Sequence, residues 1–269
     1  MNKYEHAASS AKIFGGKPED YEEFHALIDS NKTVTPSIFG RFFLHHFDVG
    51  LIILEKVFGK KIGPKKVPVK DLLAQHLLED YGQLITFKDH WLPVLERSSS
   101  IPRLGEYVSF IEKAKKDPRL KGLKEKQLDK LDNFFKLCTI SREVAVTFSR
   151  GSMAIFGHAL GADLAVKILG KKFYGRWTSD VVTGYLNCRF SWVDKRRDPV
   201  PTLLDWEKHL PDEKWMHAPK DYKNRKLDKE GIRSSYQKSK TSKKPKPKID
   251  LKSFSDLDIP YRRQPCNLD

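Results

Sequence analysis

The sequence predicts an all-α fold made of two tandem copies of one helical unit, over residues 1–97 and 98–212, followed by an extended basic tail over 213–269. Three observations lead there. Apolar residues recur at helical spacing through several long stretches, a block near residue 45 reappears near residue 158, and positive charge gathers at the C-terminal end.

Composition narrows the function. With 269 residues the chain is long enough for substantial cores, and 50 Lys and Arg against 35 Asp and Glu leave a formal charge of +15. That charge predicts attraction to polyanions, DNA or RNA first and an acidic protein surface second. Cys138, Cys188 and Cys266 are odd in number and far apart, with no C-x-x-C, which argues against a disulfide framework or a zinc finger. The first residues contain no apolar signal core, and no run approaches eighteen uncharged apolar residues. A cytoplasmic protein with no membrane partner is therefore expected.

Taken in order, residues 6–14 predict a short helix or turn ended by Gly15 and Gly16. Pro18, Glu19 and Asp20 suit a helical first turn, opening a helix to about Ser30 with Tyr21, Phe24, His25 and Ile28 on one face. Residues 31–36 read as a loop. The stretch Arg41–Gly59, RFFLHHFDVGLIILEKVFG, is apolar on nearly every side for five turns, and predicts a central buried helix starting near Ser37. Burying its His45, His46 and Asp48 requires partners, with His45 and Asp48 expected side by side. Val69–Tyr81 predicts a helix closed by Gly82, on which His76 and Asp80 are neighbours one turn apart.

The blocks HAASSAKIFGGKPEDY from His6, LHHFDVGLIILEKVFG from Leu44, VPVKD from Val67 and QHLLEDYG from Gln75 occur in this order. Over about residues 6–91 the chain resembles a family of small uncharacterised bacterial and phage proteins classed as a domain of unknown function. The resemblance implies a bacterial or phage origin and an α-helical unit, and it implies no activity.

Residues 104–137 predict helix broken at Pro118, with Leu123, Leu128, Leu131, Phe134 and Phe135 as an apolar stripe amid lysines and acids. Next, FGHALGADLAVKILGKK from Phe156 aligns with the block around His46, placing His158 against His46 and Gly157 against His45. Tyr185 falls where His76 stood and Arg189 near Asp80. A retained apolar skeleton with drifting polar positions is what a degenerate second copy would show.

Beyond Leu210 the composition shifts. Between Lys220 and Lys248 twelve Lys or Arg face three acids, a local +9, and the run ends in KKPKPK. Such a segment is expected to be extended. Lys195, Arg196, Arg197, Lys220, Lys223, Arg225, Lys226, Lys243, Lys244, Lys246 and Lys248, interleaved with Trp192, Tyr222 and Tyr236, form the expected nucleic-acid-binding set, since cations neutralise phosphates while aromatic rings stack on bases.

Six of the nine histidines lie within the first ninety residues. His25, His45, His46, His76 and Asp80 form the candidate metal-ligand set, a divalent ion being the one cofactor indicated, because imidazole and carboxylate on facing helices are how bundles hold divalent ions. The alternative to that reading is a set of core histidines hydrogen-bonded within the fold. No Walker motif, G-x-G-x-x-G or H-E-x-x-H occurs, and GHALG at Gly157 has Ala159 where a nucleophile elbow needs serine. The leading expectation is a nucleic-acid-associated accessory protein acting by binding. A metal-dependent phosphohydrolase built on the first copy comes second, and a structural or host-takeover protein docking on another protein third.

Overall fold

The computed structural model describes residues 1–35, 37–97, 103–104, 107–136, 158–169, 181–182, 184–185, 188, 190–191, 210–217 and 227–241. They are mostly helical: α1 (Lys3–Phe14), α2 (Glu19–Ile28), α3 (Val49–Phe58), α4 (Val69–Tyr81), α5 (Leu92–Arg97), α6 (Tyr107–Lys116), α7 (Glu125–Lys136), α8 (Ala159–Leu169) and α9 (Lys229–Thr241). Two antiparallel ladders of two residues a side, 61–62 with 67–68 and 103–104 with 190–191, are the strands among the described residues. No described helix is long and apolar enough to cross a membrane.

Local chemistry sets the ends of α1, α2 and α4. Asn2 Oδ1 accepts from the amides of Tyr4 and Glu5, while Glu5 Oε2 accepts from the Asn2 amide at 2.8 Å, a reciprocal cap. Glu19, Asp20 and Glu22 lie in the first turn of α2, where the exposed amides favour negative charge. Helix α4 stops where expected, at Gly82, whose φ of 71° is a conformation glycine adopts without steric cost.

The central helix is shorter than the apolar run suggests. A 3-10 turn covers Ile38–Phe42, and α3 begins only at Val49. Between them His45, His46 and Asp48 each reach a different partner, which one continuous helix would not permit. His46 Nδ1 accepts from the Gly50 amide at 2.8 Å, and the Asp48 carboxylate accepts from the amides of Phe87 and Lys88 at 2.6 and 3.1 Å. Asp48 therefore caps the turn leading into α5, not the neighbourhood of His45. The path back is tight at Gly50, where a Cβ would lie 2.6 Å from the Leu44 carbonyl oxygen.

Tyr21, Phe24, Ile28, Phe42, Phe43, Leu44, Ile53, Leu72, Leu73 and Leu77 are buried where α1–α4 meet, each side chain contributing about 1.5–3 kcal/mol of transfer energy. Helix α8 packs beside α3 with Ala162, Leu164, Ala165 and Ile168 buried. In the expected stripe Leu128 and Leu131 are buried and Leu123 partly so; the side chains of Phe134 and Phe135 lie outside the description.

The C-terminal segment corrects the expectation of an extended tail. Residues 229–241 form α9, docked on α4 through buried Ile232 and Tyr236. Tyr236 Oη donates to buried Asp71 Oδ1 at 2.8 Å, Arg233 Nε approaches Asp71 Oδ2 at 3.3 Å, and the Tyr236 ring stacks on Phe47. Two apolar anchors and one buried carboxylate outweigh the repulsion among its cations. Upstream, Trp215 meets Trp91 edge to face and Met216 is buried.

Two substitutions test this packing. Gly50→Ala should destabilise the protein by about 1–3 kcal/mol in denaturant titration, because the backbone oxygen it meets cannot retreat as a side chain would. Tyr236→Phe should cost about 1–3 kcal/mol by deleting the hydrogen bond to Asp71, and should make residues 229–241 more sensitive to limited proteolysis. Unchanged proteolysis would mean that Asp71 does not anchor α9.

Candidate metal centre

Three helices and two turns bring a set of ionisable side chains to one buried point. Helix α1 supplies His6, Ser9 and Ser10; α2 supplies His25, and the 3-10 turn Asp29–Thr33 supplies Asp29 and Lys32. Arg41 and His45 come from the turn before α3, and Gln75, His76, Glu79 and Asp80 from α4. The one-turn spacing of Gln75 with Glu79 and of His76 with Asp80 puts both pairs on the side of α4 that faces α1. His6, His45 and His76 are fully buried, Asp80 is 2% exposed and Asp29 5%.

Ring nitrogens and carboxylate oxygens converge at separations an ion would fill. His45 Nε2 lies 3.2 Å from His76 Nε2, 3.3 Å from Asp29 Oδ1 and 3.5 Å from Asp80 Oδ2. His76 Nε2 lies 3.4 Å from Asp29 Oδ1 and 3.6 Å from Asp80 Oδ2. Bonds of about 2.0–2.2 Å around a tetrahedral ion place neighbouring ligand atoms about 3.3–3.6 Å apart. His6 joins the same group: one ligand atom from each of His6, Asp29, His76 and Asp80 falls within 4.8 Å of all the others. His6 Nε2, Asp29 Oδ2 and Asp80 Oδ2 are buried without a hydrogen bond.

A ring of hydrogen bonds behind these atoms fixes which nitrogens carry protons. Gln75 Nε2 faces only acceptors, His6 O and both Glu79 oxygens, so Gln75 Oε1 must be the atom turned to Ser10. The Ser10 hydroxyl has Gln75 Oε1 at 2.7 Å and His6 O at 3.0 Å to donate to, and its oxygen then accepts from His25 Nε2 at 2.8 Å. A neutral His25 thus has a bare Nδ1, which accepts from His76 Nδ1 at 3.0 Å. That leaves His76 Nε2 as a lone pair pointing at the cluster. Likewise His6 Nδ1 donates to Glu79 Oε2 at 2.7 Å, and a neutral His6 aims the lone pair of Nε2 at Asp80. Glu79 is held in turn by Ser9 Oγ at 2.5 Å. A histidine oriented through its far nitrogen by a carboxylate is the usual support for a metal ligand.

The electrostatics keep His25 and His76 neutral and favour the charged form of His6, whose proton an ion would have to displace. Burial, with help from the neighbouring histidines, keeps His25 well below the usual imidazole range. Burial pulls His76 down to about 3, against the opposing pull of Asp29 and Asp80. For His6 burial works downward too, but hydrogen bonds to Asp80 and Glu79 override it and the pKa rises. Burial would raise Asp80, yet His45, His6, His76 and Arg41 together hold it well below the carboxylate range, and the histidines do the same for Asp29. Lys32 Nζ sits 2.7 Å from Asp29 Oδ1, and Arg41 Nη2 3.6 Å from Asp80 Oδ2.

Of the five expected ligands, His45, His76 and Asp80 meet at this point. His25 stands behind His76, orienting it. His46 is turned away: its Nδ1 is spent on Gly50, its ring lies edge-on to Phe87, and burial lowers it to about 4. The sequence reading missed His6 and Asp29. A signal for Asp29 was present, since His25 and Asp29 repeat the spacing of His76 and Asp80. No comparable pattern marks His6, which contributes only because α1 crosses α4. The expected nucleic-acid set, Lys195, Arg196, Arg197, Lys220, Lys223, Arg225, Lys226, Lys243, Lys244, Lys246 and Lys248, lies outside the described residues.

Acid should unfold the metal-free protein early. His76, His25 and His46 are neutral when folded but take up protons below about pH 6.5 when unfolded, so the stability they contribute is complete above that pH and lost as pH falls toward their folded values. For His76 alone the full shift is on the order of 5 kcal/mol. His6, raised on folding, works in the opposite direction and offsets part of the loss, while Asp29 and Asp80 add theirs only below about pH 4. Calorimetry should show the Tm of the metal-free protein falling between pH 7 and pH 5; a flat Tm would contradict buried neutral histidines.

The chain matches no curated protein and no solved structure. Its first 101 residues, which hold the whole centre, match a domain of unknown function, DUF6915.

Proposed function

We propose that the N-terminal unit is a divalent-metal-binding module whose ion is held by His6, Asp29, His45, His76 and Asp80. The observation that carries this is the convergence of imidazole nitrogens and carboxylate oxygens at ligand-to-ligand spacing, with each of His6 and His76 locked by a partner on its far nitrogen. Three nitrogens and two oxygens suit zinc, manganese or iron better than magnesium or calcium. In an enzyme such an ion would polarise a phosphoester or lower the pKa of a bound water, the chemistry of a metal-dependent phosphohydrolase.

The charge distribution favours a second role, in which a bacterial or phage accessory protein of the cytoplasm holds DNA or RNA through its basic C-terminal arm. The arm is anchored on α4, the helix that carries His76 and Asp80, through Tyr236 and Asp71. A tandem origin of the two units rests on the aligned apolar blocks, with His158 and His46 each accepting through Nδ1 from a nearby glycine amide, three residues on at Gly161 and four at Gly50.

Metal titration with elemental analysis should find one ion per chain. His76→Ala and Asp80→Asn should abolish stoichiometric uptake, whereas Glu79→Gln, which touches the ion only through His6, should weaken affinity about 10–100-fold. A protein that takes up no zinc, manganese or iron, or that binds equally well without His76, would leave the cluster as a purely structural network.

Removing residues 220–269 should abolish most nucleic-acid binding, and the affinity of the full chain should fall with salt at a log-log slope of about −4 or steeper. Binding that ignores salt would count against the arm.

A further inference from the structure

We propose that the metal centre carries a binding position for a terminal phosphoryl group, held jointly by the ion, Lys32 and Arg41. The proposal rests on the metal-binding reading and adds the ligand class. Its first ground is position. The ligand-bearing side chains of His45, His76 and Asp80 are fully buried and that of Asp29 nearly so, whereas Lys32 is 27% exposed and Arg41 17%. These two cations therefore stand between the centre and solvent. Lys32 Nζ is 2.7 Å from Asp29 Oδ1 and 3.8 Å from Asp80 Oδ2, and Arg41 Nη2 is 3.6 Å from Asp80 Oδ2. The oxygens they approach are the ones that face the ring nitrogens, so a group on the ion lies within reach of both cations.

The second ground is charge. With the rings neutral, as ligation requires, Asp29, Glu79 and Asp80 face Lys32, Arg41 and the Met1 ammonium, which is 3.2 Å from Asp80 Oδ1, three negative groups against three positive. A divalent ion turns that balance into an excess of two positive charges at a largely buried point, and an unbalanced buried charge is costly until an anion joins it. Once the carboxylate lone pairs are drawn to the ion, the ammonium and guanidinium donors beside them are released. A phosphoryl dianion has three terminal oxygens to divide among ion, lysine and arginine, and the flat guanidinium fork matches two of them. In the same turn as Asp29 and Lys32, Asn31 is fully buried, and neither Nδ2 nor Oδ1 of its side chain has a partner.

An approach past side chains only 27% and 17% exposed favours a chain end over an internal phosphodiester, whose two sugars would both have to enter. The ligand assigned is inorganic phosphate or a phosphomonoester.

The experiment uses the full chain loaded with Mn2+, first in phosphate-free buffer and then with inorganic phosphate, phenyl phosphate or a single-stranded oligonucleotide lacking terminal phosphates. Saturating phosphate or phenyl phosphate should tighten Mn2+ binding at least about ten-fold, and the bound ion should broaden the 31P signal of each; by linkage, the metal tightens phosphate binding by the same factor. The double variant Lys32→Gln, Arg41→Gln should still take up Mn2+ without phosphate but lose the enhancement, and Lys32→Arg should retain it. Mn2+ uptake that phosphate does not alter, or an enhancement that survives the double variant, would overturn the phosphoryl site while leaving the metal reading intact. An equal enhancement by the unphosphorylated oligonucleotide would overturn the assignment to chain ends. No uptake of Mn2+, zinc or iron in any buffer would overturn both.

Discussion

The unit depends on satisfying a buried circuit of imidazoles, carboxylates and one amide. His6, Ser10, His25, Gln75, His76 and Glu79 are each at or near full burial, and each would cost several kcal/mol if stranded. They avoid that in an open loop of hydrogen bonds from His6 through Glu79, Gln75, Ser10 and His25 to His76, whose two ends leave a ring nitrogen each facing the carboxylates. Because members of the loop sit on α1, α2 and α4, satisfying it fixes how the three helices are rotated about their axes, which apolar packing alone leaves adjustable. The same loop decides the tautomers, and so which nitrogens are left to face an ion.

The break before α3 follows from a comparable demand. A continuous helix from Ser37 would put His45, His46 and Asp48 at fixed angles around one axis, yet their partners lie on α4, on α3's own first turn and at the start of the turn into α5. Interrupting the helix costs a few backbone hydrogen bonds, and the His46 ring replaces one of them by accepting from the Gly50 amide. Gly50 is the residue that lets the chain turn this closely, since its missing Cβ makes room for the Leu44 carbonyl. Structure and candidate chemistry are coupled here: the geometry that frees His45 from a helix also delivers it to His76 and Asp80.

At the other end of the chain, a segment dominated by lysine and arginine still forms a packed helix. Ile232 and Tyr236 are one turn apart, and their burial on α4, with the Tyr236 phenol given to Asp71, is local enough that average composition does not register it. Docking also places the start of the basic arm on the helix that carries two of the proposed ligands.

What the sequence determined by itself is what short-range chemistry controls: the helical class, the end of α4 at Gly82, the acidic start of α2, the one-turn pairing of His76 with Asp80, and the concentration of polar burial in the first ninety residues. These follow from spacing along one helix or from the dihedral preference of one residue. Only the tertiary structure decided that His6 and Asp29 join the centre, that His25 stands behind His76 and His46 turns away, and that α3 starts at Val49. Each of those depends on the partner a polar group finds across helices, and separation along the chain carries no information about which buried donor will meet which acceptor once the helices cross.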